Sequence, residues 1–108
     1  MNTILIQVNG KIDLEFKLPK KSNDRLSAMQ KAVEGYIEVV YPPIENTKMF
    51  VNEDGISKEL DTNIIATGLF GNVILGNTIV ETSNSMVVKY IQRAAGILNS
   101  HPLGYNPN

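Results

Sequence analysis

The groups in this sequence best suited to chemistry are seven polar side chains set beside backbone-permissive glycines. The run Gln30-Lys31-Ala32-Val33-Glu34-Gly35-Tyr36-Ile37-Glu38-Val39-Val40 joins a helix end to a strand through one glycine. It brings Gln30, Tyr36 and Glu38 to that joint, more polar groups than a plain joint needs. Asn52-Glu53-Asp54-Gly55, Asn63 and Gly76-Asn77 follow downstream. Amides, a phenol and carboxylates of this kind suit the grip of a polar small molecule. Tyr36 would stack or offer its hydroxyl, and Glu38 would accept from ligand donors. Asn63, at a helix start, would sit near free N–H groups that favour an anionic oxygen. Arg25 and Lys31 would form a basic rim. Each residue also has a local use. Gln30 can face solvent, Tyr36 can lie in the core and Glu38 can pair with Lys31 or Lys48. Asn52 and Asn63 can cap turns, and Asn77 can serve a bulge. Singly the local uses are commoner; together the seven describe a pocket.

Catalytic signatures are missing. The one histidine, His101, lies in a tail without periodicity, a poor base for proton transfer. There is no cysteine, which removes thiolate nucleophiles, thiolate metal sites and disulfides and fits a reducing compartment. Gly68, Gly71 and Gly76 match no phosphate-binding glycine loop. Asn52-Glu53-Asp54-Gly55 lacks the alternating ligands of a calcium loop. The expectation is a non-enzyme without cofactor or metal.

The chain has 108 residues, 43% of them hydrophobic, and a net charge of −1. That is enough for one domain with a real core, and it argues against general nucleic-acid binding. The charges are segregated. Residues 17–31 hold five basic residues against Asp24, whereas residues 32–61 hold seven acids against two lysines. Solvated surfaces are the usual cause; a basic rim beside an anion pocket is the sharper one. The segment Met1–Ile6 has no basic stretch and its apolar run is too short for a signal peptide. No window approaches the ~18 apolar residues of a membrane span. A cytoplasmic location is therefore expected.

The elements that position these residues follow from periodicity. Residues 3–17 alternate as a strand pair around Asn9-Gly10. A two-residue turn would put its apolar sets on opposite faces. A three-residue loop, Val8-Asn9-Gly10, pairs Ile6 with Ile12, with Gly10 in the left-handed region. Ser22 or Asn23 is expected to cap a helix to about Glu34, with Leu26, Met29 and Val33 on the sheet and Gly35 in the left-handed position after it. Strands are expected over 36–40 and 48–51, a short helix from Asn63 to Gly68, and one bulged strand over 73–80. Residues 84–99 carry the clearest helix, with the stripe Val87, Tyr90, Ile91, Ala94 and Leu98. Residues 100–108 read as an extended or disordered tail.

The motifs Gln30-x-x-Val33-x-Gly35-Tyr36-Ile37-Glu38-Val39-Val40, Asn52-Glu53-Asp54-Gly55, Asn63-x-x-Ala66-Thr67 and Gly76-Asn77 resemble a small family of unknown function found mostly in phages and plasmids. The resemblance spans about residues 24–81. This chain departs from it at Glu34, where a small residue is common, and at Leu60-Asp61, where Leu-Pro is common. The resemblance implies an accessory protein of a phage or mobile element and no particular reaction.

The sequence thus specifies an α+β domain over 1–99, a small, mainly antiparallel sheet with one helix packed on it and a C-terminal amphipathic helix. Two functions are expected: sequestration of a small polar, nucleotide-type ligand that counteracts host defence signalling, or a module that binds and blocks a host protein. A ligand binder should converge its polar groups in a concave site. A protein blocker should show an apolar patch with a polar rim. Ala94, Ala95 and Gly96, with Met86 and Ile97, also suggest self-association through the last helix.

Overall fold

The structure, a computed structural model, describes residues 1–100; the tail expected over 100–108 lies outside them but for Ser100. Strands β1 (Asn2–Ile6), β2 (Ile12–Asp13), β3 (Ile37–Val40), β4 (Thr47–Asn52) and β5 (Thr78–Thr82) form one antiparallel sheet in the order β2-β1-β5-β4-β3. Helix α1 (Ser22–Val33) precedes β3, α2 (Ile64–Phe70) precedes β5 and α3 (Ser85–Asn99) follows it. The fold is α+β.

Strand parity divides the sheet into two apolar faces. Leu5, Phe50 and Ile79 meet Met29 and Val33 of α1. Ile4, Ile6, Met49, Val51 and Val80 meet Ile65 and Leu69 of α2 and Val87, Ile91 and Ala95 of α3. The sheet is thus covered on both faces, not by one helix alone. Among the described residues no helix is long and apolar enough to cross a membrane.

The N-terminal hairpin has the expected parity. Ile6 pairs with Ile12, Gly10 sits at φ 87°, and Gln7 N–H donates to the Lys11 carbonyl at 2.9 Å. Helix α3 starts where expected, with the Asn84 side chain accepting from Met86 N–H. Its buried stripe is Val87, Ile91 and Ala95; Tyr90 is partly exposed, a rotation of the face by less than one turn.

Four local expectations fail. Lys21, without a side-chain hydrogen bond, stands at the cap of α1 in place of Ser22 or Asn23, which begin the helix itself. Leu26 is exposed, because only the C-terminal half of α1 presses on the sheet. At the other end Glu34, not Gly35, takes the left-handed conformation, at φ 65°. Gly35 serves close approach instead. A Cβ there would lie 2.6 Å from both Asn52 Nδ2 and Lys58 Nζ. Residues 73–80 are not one strand either. Leu75 makes an isolated bridge with Thr62, the chain bends at Gly76 (φ 87°), and β5 begins only at Thr78.

Candidate functional site

Apart from three residues of α1, the polar residues singled out by sequence separate into two groups. The first group is spent inside the molecule. A helix ends with carbonyls that have no partner in the helix. In α1 these are met from outside: Asn77 Nδ2 donates to the Ala32 carbonyl at 3.3 Å, Asn52 Nδ2 to Val33 at 2.9 Å and Lys58 Nζ to Glu34 at 3.3 Å. The lysine charge also complements the negative end of the helix dipole. Asn52 Oδ1 accepts from Asp54 N–H, shaping the following turn, and Asn77 Oδ1 accepts from Val8 N–H.

Asn63 is the most committed of the set. It is 1% exposed. Its Nδ2 donates to the Ile6 carbonyl at 2.9 Å and the Gly76 carbonyl at 3.0 Å, and its Oδ1 caps α2 at Ala66 N–H. One amide therefore holds β1, the bend before β5 and the start of α2 together. No capacity is left for a ligand oxygen.

Arg25, Gln30 and Lys31 lie along α1, and none of them lines the cavity described below. Arg25 makes an ion pair with Glu81, which also has Lys48 Nζ at 3.6 Å. Lys48 is thereby turned away from Glu38. The Gln30 carbonyl accepts from both Glu34 and Gly35 N–H groups. Lys31 is exposed.

The second group borders a groove. Edge strand β3, the end of β4, the turn after it and the segment following α2 enclose an open cavity of about 660 Å³. Its walls are apolar: Val40, Val51, Ile56, Phe70, Val73 and Leu75. Its rim carries Glu38, Glu53 and Asp54, and no lysine or arginine lines it. Ile56 and Val73 are among the most exposed apolar side chains of the domain. Asn52 borders the groove with its amide turned inward. Tyr36 precedes β3 and is exposed, and its carbonyl fixes the turn by accepting from Glu53 N–H at 3.0 Å. Among the described residues strand β3 has β4 on one side only, which leaves a row of backbone donors and acceptors open on its other edge.

Of nine candidates, the structure brings Glu38 and Glu53 to one cavity as free side chains and ties Asn52, Asn63 and Asn77 into the fold. It adds Asp54, Ile56, Phe70, Val73 and Leu75, which sequence reasoning passed over. Ile56 gave the one available signal, an isoleucine alone in a polar turn. Among the described residues no cluster of His, Cys, Asp or Glu could hold a metal.

No curated protein and no solved structure matches the chain. A family model does match, over residues 1–90, which extends beyond the motif-bearing segment to both N-terminal strands and into α3. With most of its length inside that match, the chain belongs to the DUF3846 family, a domain of unknown function.

Proposed function

We propose that the protein is a non-catalytic binding module whose groove receives an extended, basic and apolar segment of a partner protein. The acid-rimmed apolar groove beside an unpaired strand edge carries this reading. An incoming strand would complete the β3 ladder through its backbone. Its apolar residues would reach Val40, Ile56 and Val73, and its lysines or arginines would meet Glu38, Glu53 and Asp54. In the phage or mobile-element accessory protein that the motifs resemble, such a module would act by occupying a host factor.

Sequestration of a small molecule is the second reading, and the size of the groove favours it, since 660 Å³ falls in the range of small-ligand sites. The acid rim then selects a neutral or cationic ligand over a nucleotide-type anion. A peptide alternating lysine with valine or isoleucine, titrated into the protein and followed by amide NMR, separates the readings. The expected result is perturbation of Ile37–Val40 and 53–57, lost in Glu53→Lys and absent for the peptide with glutamate in place of lysine. Binding of a cyclic nucleotide in the groove, with no response to the basic peptide, would overturn the protein-segment reading.

A further inference from the structure

Helix α3 has a second apolar face that the other described residues do not cover. Its buried stripe, Val87, Ile91 and Ala95, runs against the sheet. On another side of the same helix lie Met86, Tyr90, Arg93 and Ile97, spaced four, three and four residues apart. At about 100° per residue these four fall within a narrow stripe roughly 16 Å long, with the spacing of a helix–helix seam. Met86 is 66% exposed, Tyr90 43% and Ile97 65%. Beside them, Ile64 of α2 is exposed and forms with Tyr90, Arg93, Ala94, Ile97 and Leu98 an apolar cavity of about 290 Å³. Tyr90 is held in place, because Gly68 leaves room for its hydroxyl where a Cβ would come within 2.1 Å.

We infer that this stripe pairs with the same stripe of a second copy, antiparallel and about a two-fold axis. The stripe is self-complementary in that one register. An axis midway between Ile91 and Gln92 places Met86 opposite Ile97 and, at the same time, Tyr90 opposite Arg93. The outer pairs are apolar on apolar. The inner pairs set a guanidinium against an aromatic ring, twice, a favourable cation–π arrangement. A parallel pairing would instead put Arg93 against Arg93. Each flexible Met86 then reaches the partner's cavity at its Ile97 end, and the contact closes as a dimer with no open end. The surface differs from the small-residue patch expected from sequence, since Ala95 is buried within its own chain.

Sedimentation of the full chain across a concentration series tests the dimer, expected at twice the 11.9 kDa chain mass. Met86→Glu and Ile97→Glu should each weaken association about tenfold or more, with melting curves unchanged at dilutions where the parent is also monomeric, because both positions are exposed. The chain contains no cysteine, so the register can be read by cross-linking. A mixture of Met86→Cys and Ile97→Cys proteins should form the mixed disulfide on mild oxidation much faster than either protein alone forms its own. A chain that stays monomeric to ~1 mM, glutamate variants that associate like the parent, or Met86→Cys cross-linking to itself as fast as the mixture would overturn the proposal.

Discussion

The two ends of the α1–β3 joint treat polarity in opposite ways. Behind the joint, Asn52, Asn63 and Asn77 have their side-chain donors and acceptors matched to backbone groups of other segments. In front of it, Glu38, Glu53 and Asp54 line an apolar groove, Glu38 and Glu53 exposed to solvent. The polar segments singled out by sequence run through both regions. Much of that set is architectural, spent on backbone groups at the end of α1 and the start of α2. What remains for recognition is the smaller, acidic portion.

This contrast is open to direct attack. The largest effect is expected at Asn63→Ala. It takes the cap from Ala66 N–H and a donor from each of the Ile6 and Gly76 carbonyls, Gly76 keeping only the longer bond from Thr78 Oγ1, at a cost of about 3 kcal/mol, and denaturant unfolding should show a much lower midpoint. A variant of wild-type stability would show that the amide is dispensable and reopen it for ligand contact. Gly35→Ala comes next. Its Cβ must displace the buried Asn52 amide, so a loss of about 2 kcal/mol is expected by the same measurement. Glu34→Gly should act in the other direction, raising stability by up to about 1 kcal/mol, since glycine relieves the left-handed backbone at that residue. Smallest of all, Glu38→Gln and Glu53→Gln should shift unfolding by no more than about 0.5 kcal/mol while weakening capture of the basic peptide. If these carboxylates prove as costly to remove as Asn63, the division between scaffold and site collapses.

The legible parts of the sequence were those whose physics is local. Alternation fixed the parity of the first hairpin, where a one-residue slip would have turned Ile12 and Leu14 outward. Asn63 and α3 followed from capping and a 3.6-residue period. What stayed hidden depends on segments that meet only in the fold. Gly35 looked like a helix-ending glycine, and only the arrival of Asn52 and Lys58 shows that it is there for space. The groove draws on residues 38–40, 51–57 and 70–75, none of which reveals a cavity by itself. Tyr90 read as core because its period fits, yet its ring lies over Gly68 at the edge of the packed face. The acidic run signalled a charged surface, and the fold put that charge where a basic rim had been expected.

The strand order has a consequence for how the chain acquires its structure. β1 and β2 form one hairpin and β3 and β4 another, each from neighbouring stretches of sequence. The strand that joins them is the last one, β5, which inserts between β1 and β4. Until residue 82 is available, each hairpin keeps an unsatisfied inner edge and neither apolar face is continuous. Assembly of the sheet therefore waits for most of the chain to be synthesised, and the slow, entropy-costly step is closure of the long loop between Ile6 and Thr78. A nascent chain truncated before β5 would expose two sticky strand edges at once, which makes that single five-residue strand the point at which this protein either folds or aggregates.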